Sequence, residues 1–184
     1  EIVKYGIILD ADLFALLEAH ADALRDFSQP SIDLLCQIIA RSIDLKAMVI
    51  EGDEREQGRR AILNYGHTVG HALENASGYG EWLHGEAVSL GMVAAAAIAQ
   101  EAGMFAATDV VRQNRLLAAL GLPIVYHGSV RVKDILKTMQ LDKKVVGKQV
   151  HWVMPTCIGE VIVTPMPTDV VERIITSFFA GEEK

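Results

Sequence analysis

Apolar residues recur along most of the chain at three- and four-residue steps, which predicts a mainly helical protein. The helical pattern runs from the first residues, Glu1-Ile2-Val3-Lys4-Tyr5-Gly6-Ile7-Ile8, with Lys4 one turn after Glu1. Leu13, Leu16, Leu17 and Leu24 follow at helical spacing, and Asp10 or Asp12 stands where it caps a helix running to about Phe27. Ser28-Gln29-Pro30 opens another, with Pro30 in the first turn, where its missing N–H costs nothing. Its apolar face, Leu34, Leu35, Ile38, Ile39, Ile43 and Leu45, continues towards Val49. A charged stretch over 51–60 interrupts the pattern. A helix is then predicted over 62–76, ending near Gly78-Tyr79-Gly80, and a long apolar one over 85–102 with Gly103 as its stop. Thr108-Asp109 caps the next, which ends at Gly121-Leu122-Pro123, and Ser129 begins a short one to about Leu141. Only 149–154 and 160–164 read as strands, around Pro155-Thr156-Cys157-Ile158-Gly159. Thr168-Asp169 caps a closing helix through Phe179. The expected fold class is therefore mainly α, with a small β-hairpin near 149–164.

Composition narrows the function classes. The 184 residues fit one domain, and a hydrophobic fraction of 51% supports a substantial core. A net charge of −7, without a lysine or arginine block, argues against a nucleic-acid surface. The longest apolar run, 87–99, is too short to span a bilayer and reads as a buried helix. No signal peptide is legible. Cys36 and Cys157 read as buried free thiols of a reducing, cytoplasmic environment. A helical pattern that starts at residue one, on Glu1 rather than Met, is expected of a piece of a longer chain.

The chemistry concentrates in Gly66-His67-Thr68-Val69-Gly70-His71 and Leu83-His84-Gly85-Glu86, which hold three of the six histidines within eighteen residues. On a helix His67 and His71 share a face, with Cβ atoms about 6 Å apart. That spacing suits one metal ion, as in HExxH proteins, but Thr68 stands where that motif has its glutamate. His84 is a candidate further ligand. A carboxylate would complete a His₂-Glu set, and spacing does not choose which one. Glycines beside the histidines read as room for a ligand. If 62–76 is one helix, Arg60, Asn64, His67 and His71 form a single polar stripe, with Lys46 a further anion-binding candidate. Glu56 is a candidate general base, although an ion pair with a neighbouring arginine accounts for it equally well. Asp142-Lys143-Lys144 reads either as a basic loop over an anion or as a solvated turn. His20, His127 and His151 are taken as structural.

Taken in order, Glu1-Ile2-Val3-Lys4-Tyr5-Gly6, Lys46-Ala47, Asp53-Glu54-Arg55-Glu56-Gln57-Gly58, Arg60 with Leu63-Asn64, the Gly66–Ala72 run, Leu83-His84-Gly85-Glu86-Ala87-Val88 and Asp142-Lys143-Lys144 resemble the C-terminal domain of the 3-dehydroquinate synthase family. Arg59 stands where that family more often has an aliphatic residue. The resemblance spans essentially all of 1–184. It implies metal ligands Glu1, His67 and His84, binding Zn²⁺ or Co²⁺. It casts His71 and Glu56 as acid/base residues, and Lys4, Lys46, Arg60, Asn64 and Lys143 or Lys144 as substrate-binding residues.

The implied reaction converts 3-deoxy-D-arabino-heptulosonate 7-phosphate, a phosphorylated sugar acid, into 3-dehydroquinate. It proceeds by transient oxidation with NAD⁺, phosphate elimination, re-reduction, ring opening and aldol closure. In the family NAD⁺ is bound by an N-terminal α/β domain, and no Gly-rich dinucleotide loop is legible here. The resemblance thus implies a partner domain of the same enzyme, a homodimer of the full-length protein, and no activity for 1–184 alone. Other readings are a different sugar-phosphate cyclase, a metal-dependent polyol dehydrogenase, or a non-catalytic helical domain.

Overall fold

The structure, a computed structural model, describes residues 1–26, 31–51, 58–78, 81–146 and 151–180; the side chains of Arg59 and of residues 140–146 lie outside this description. Its helices are α1 (Ile2–Leu9), α2 (Ala11–Ala19), α3 (Ala21–Arg25), α4 (Ile32–Glu51), α5 (His67–Ser77), α6 (His84–Glu101), α7 (Ala107–Ala119), α8 (Val132–Val146) and α9 (Thr168–Phe179). A 3₁₀ segment, Arg59–Asn64, precedes α5, and strands β1 (His151–Cys157) and β2 (Glu160–Pro165) precede α9. The strands pair antiparallel, His151 opposite Pro165, with a register shift between Pro155 and Cys157. The predicted class, mainly helical with one hairpin, is the observed one.

α6 is the axis of the core. From Ala87 to Ala99 every residue but Ala97 is buried, so the helix is apolar on all sides and is covered by α5, α7, α9 and β1. Its N-terminus is closed where Leu83 N–H donates to the Glu86 carboxylate at 2.9 Å. α9 is amphipathic and buries Val171, Ile175 and Phe179, one per turn.

α5 reaches α6 through glycines. A Cβ on Gly91 would lie 1.9 Å from the Gly66 carbonyl oxygen, and one on Gly70 3.1 Å from that of Ala87. Gly66 also has φ +77, a left-handed conformation that a Cβ disfavours. The glycines beside the histidines therefore admit the neighbouring helix backbone, where the sequence suggested room for a ligand.

α1 is buried along Val3–Ile8 between α2, α4 and the hairpin. Gly159 N–H donates to the Ile7 carbonyl at 2.8 Å, which ties the hairpin turn to the C-terminal end of α1. At the next junction Asp10 caps α2 through Leu13 N–H and holds Arg41 of α4 in a two-pronged ion pair.

Several expected boundaries are corrected. The helix predicted from Asp10 to Phe27 breaks at His20 (φ −121, ψ 17) into α2 and α3; Phe27 and the Ser28-Gln29-Pro30 start signal lie outside the described residues. The helix predicted over 62–76 is split, because Tyr65 drops fully into the core and Gly66 turns the chain before α5 begins. α7 starts at Ala107, with Thr108 and Asp109 inside its first turn rather than capping it. α8 starts at Val132 rather than Ser129 and continues past Leu141 to Val146, so Lys143 and Lys144 stand on a helix and not in a loop. On α4, Ile38, Ser42 and Val49 are buried, whereas Ile39 and Ile43 are 50% and 61% exposed. That helix is apolar over more than one face, and α1 selects only one. Cys36 and Cys157 are both free and exposed, not buried.

The Gly66–Gly91 approach gives a direct test. Gly91→Ala has to push backbone from backbone and should destabilise the chain by about 1–3 kcal/mol. Gly85→Ala, in the first turn of the same helix with nothing within 4 Å of the new methyl, should be neutral or stabilising by up to about 1 kcal/mol. Urea denaturation of the two variants measures both; equal midpoints would remove the close crossing from this account.

Candidate metal and anion site

His67 is the first residue of α5 and His84 the first of α6, and their rings meet at 5.4 Å between centres. His67 Nδ1 lies 3.0 Å from the Tyr65 carbonyl, which can only accept, so Nδ1 carries the proton and Nε2 presents a lone pair. That Nε2 lies 3.4 Å from Glu1 Oε1. His84 repeats the arrangement: Nδ1 is 3.1 Å from Glu74 Oε1 and Nε2 is 3.9 Å from the same Glu1 Oε1. His71, one turn along α5 and exposed, meets His67 edge-on at 5.3 Å between ring centres and lies against His84 at 5.8 Å.

Three acceptors thus converge: two imidazole nitrogens and a carboxylate oxygen. Ligands held at about 2.0–2.1 Å around a tetrahedral ion lie roughly 3.3 Å apart, close to the His67–Glu1 spacing. The donors of His67, His71 and His84 also lie within 4.8 Å of one another, so the cluster offers a three-histidine set beside the two-histidine, one-carboxylate set.

Cations adjoin this centre. Lys4 is only 3% exposed, and its Nζ lies 2.7 Å from Glu1 Oε2. The Glu1 carboxyl is held well below the usual carboxylate range, mainly by its contact with the His67 ring, against the opposing effect of burial and with help from Lys4. With Nδ1 donating to Tyr65, the neutral His67 ring sets its Nε2 lone pair against the Glu1 carboxylate, an arrangement that a bound cation would relieve. Burial pushes the Lys4 ammonium below its ordinary value; Glu1 opposes the shift and the neighbouring charge of Lys46, exposed on α4, adds to it.

The structure therefore brings together Glu1, Lys4, His67, His71 and His84, with Lys46 in electrostatic reach. Arg60 and Asn64 stand on the 3₁₀ segment that packs against α1 and α4. The expected single stripe of Arg60, Asn64, His67 and His71 is not formed, since the Tyr65-Gly66 turn separates the first two from the histidines. Asn64 instead lines a narrow cleft with Thr68, Trp152 and Val153. Glu56 lies outside the described residues, as do the side chains of Lys143 and Lys144; the helix carrying those two lysines, α8, packs on α5. Sequence reading missed Glu74 and Tyr65. Glu74 had a signal, since it follows His67 by two helical turns. Tyr65 acts through its backbone, which leaves none.

Tyr65 is the anchor below the site. It is fully buried, its hydroxyl donates to Gln113 Oε1 at 2.7 Å, and Gln113 Nε2 donates to the Met92 carbonyl at 3.2 Å. Burial drives the phenol pKa well above its ordinary value.

The model for the 3-dehydroquinate synthase C-terminal family matches residues 1–145. The chain is 48% identical over 178 residues to the 3-dehydroquinate synthase of Nostoc punctiforme, covering 95% of the chain and 48% of that relative. It is 44% identical over 177 residues to the corresponding enzyme of Shewanella frigidimarina, covering 96% and 49%. The chain thus spans about half the length of the curated relatives it matches. Among solved structures, a 2-epi-5-epi-valiolone synthase from Streptomyces hygroscopicus with NAD⁺ and Zn²⁺ bound shares its fold at TM-score 0.83 and 23% identity, covering 96% of the chain and 49% of that protein. A 2-deoxy-scyllo-inosose synthase, complexed with carbaglucose-6-phosphate, NAD⁺ and Co²⁺, matches at TM-score 0.80 and 27% identity, covering 97% and 49%.

If Tyr65 and Gln113 hold the turn before His67, removing one partner should cost more than removing both. Tyr65→Phe should destabilise the chain by about 1–3 kcal/mol, because Gln113 Oε1 is left buried and unpaired. Tyr65→Phe with Gln113→Met should cost less than the two single changes added. A double-mutant cycle by chemical denaturation checks this, and strict additivity would contradict the coupling.

Proposed function

The chain belongs to the 3-dehydroquinate synthase family, and from that premise we propose that residues 1–184 are the C-terminal, metal- and substrate-binding domain of a 3-dehydroquinate synthase. The substrate is 3-deoxy-D-arabino-heptulosonate 7-phosphate and the reaction is a phosphate-eliminating carbon–oxygen lyase step within a cyclisation. NAD⁺ is bound mainly by an N-terminal domain outside these residues, and the complete enzyme is a cytoplasmic homodimer. Identities of 44–48% to 3-dehydroquinate synthases support this over the other sugar-phosphate cyclases, whose solved members are 23–27% identical.

The observation that carries the reading is the convergence of Glu1 Oε1, His67 Nε2 and His84 Nε2, with Nδ1 of both rings held on an acceptor. This donor set fits Zn²⁺ or Co²⁺, and three protein ligands leave a position open to substrate. A divalent ion held there by Glu1, His67 and His84 would lower the pKa of substrate hydroxyls and polarise a carbonyl.

The chain's own residues supply the rest. His71, exposed beside the ligand pair, takes and returns protons at its ring nitrogen. Glu56 is the second acid/base residue. Lys4, buried against Glu1 and next to Lys46, fixes a positive field at the mouth of the site that orients a phosphate or carboxylate. Arg60, Asn64 and Lys143 or Lys144 complete the contacts to substrate oxygens. Holding one flexible substrate through several steps is the main task of such a set.

Zinc titration of the chain tests the ligand set. Glu1→Gln, His67→Ala and His84→Ala should each weaken affinity by more than the roughly 10–100-fold expected of an outer-shell change, while His71→Ala should leave it near wild type. Loss of binding in His71→Ala with retention in Glu1→Gln would select the three-histidine set instead. For the reaction, the chain joined to the N-terminal half of the Nostoc punctiforme relative should release phosphate from the heptulosonate in the presence of NAD⁺. Turnover of sedoheptulose 7-phosphate in its place would move the assignment to another cyclase of the fold.

A further inference from the structure

The two imidazoles at this centre are oriented by different means. His67 is held by a main-chain carbonyl, that of Tyr65, within a turn fixed by a buried side chain. His84 has no such support. It is the first residue of α6, its side chain is half exposed, and the residue before it, Leu83, is exposed as well. Its ring contact of defined polarity is the Glu74 carboxylate, 3.1 Å from Nδ1. Glu74 stands two turns beyond His67 on α5, and its side chain is only 17% exposed. It lies on the Nδ1 side of the ring, away from Glu1, so it does not compete with Glu1 for the position that Nε2 faces.

We propose that Glu74 is a positioning residue for the metal centre, fixing His84 as the Nδ1–H tautomer so that Nε2 offers its lone pair beside Glu1 and His67. The proposal rests on the metal-site reading above. A carboxylate that accepts the Nδ1 proton selects one tautomer and sets the ring plane. Without it no carboxylate holds the Nδ1 proton, and the ring can adopt the Nε2–H form, in which the nitrogen facing Glu1 carries a proton and cannot ligate. The His67 partner is backbone, so among the described residues Glu74 is where a side-chain substitution reaches this outer support.

The test uses the 184-residue chain as wild type, Glu74→Ala and Glu74→Gln. Zn²⁺ affinity is measured by competition with a chromophoric chelator, and the His84 tautomer by ¹⁵N NMR of the metal-free protein. Glu74→Ala should bind zinc about 10–100-fold more weakly and shift His84 towards the Nε2–H form. Glu74→Gln keeps an acceptor oxygen and should restore the Nδ1–H tautomer and most of the affinity. Urea midpoints of the metal-free proteins should agree, which separates orientation of the ring from loss of fold. Wild-type zinc binding with unchanged affinity and tautomer in Glu74→Ala would overturn the role of Glu74 and leave the metal centre standing. Failure of the wild type to bind zinc would overturn the metal centre and this role with it.

Discussion

The antiparallel crossing of α5 and α6 is the constraint on which the site depends. Backbone meets backbone there because Gly66, Gly70 and Gly91 carry no Cβ. Each turn along α5 meets roughly one turn back along α6: Gly66 faces Gly91 and Met92, Gly70 faces Ala87 and Val88, and Glu74 reaches His84. The register that packs the apolar centre of α6 therefore also delivers His84 to the histidines of α5. A small residue that looks like room for a ligand is, in this chain, what sets the distance between the histidine-bearing helices. Interiors at near-crystalline density do not permit that distance to drift when a methyl is added.

The polar layer is built on this frame and has its own logic. Burying Lys4 beside Glu1 costs desolvation, and the pair makes sense only if both charges keep partners. Glu1 turns one oxygen to Lys4 and the other to the two Nε2 atoms. Both imidazoles spend their Nδ1 protons elsewhere, so the point between them and Glu1 is rich in lone pairs. That geometry suits a divalent cation.

Much of the fold was legible in the pattern of residues. Apolar periodicity located α1, α4, α6 and α9, and the Pro155–Gly159 turn signals located the hairpin. It failed where local pattern and tertiary demand diverge. A period of 3.6 continues through Tyr65 and Gly66, yet the chain turns there because the core accepts the Tyr65 ring against Gln113. On α4 several apolar residues compete for burial, and the packing of α1 and the 3₁₀ segment on that helix decides that Ile38 goes inside and Ile39 does not. The exposed cysteines were misread for the same reason, since burial belongs to neighbours and not to residue type.

The sequence by itself determined the candidate donors and the family: three histidines in a short span, and ordered motifs that a family model matches over 1–145. Their type and spacing suffice for that, because donor atoms and charge are properties of side chains. Only the tertiary structure decided who faces whom. Glu1 meets His67 and His84 across more than sixty residues of chain, Glu74 turns His84, and Arg60 with Asn64 is set apart from the histidines by one turn. Such pairings depend on how helices cross, and the crossing is fixed by close contacts among residues distant in sequence, which no local pattern encodes.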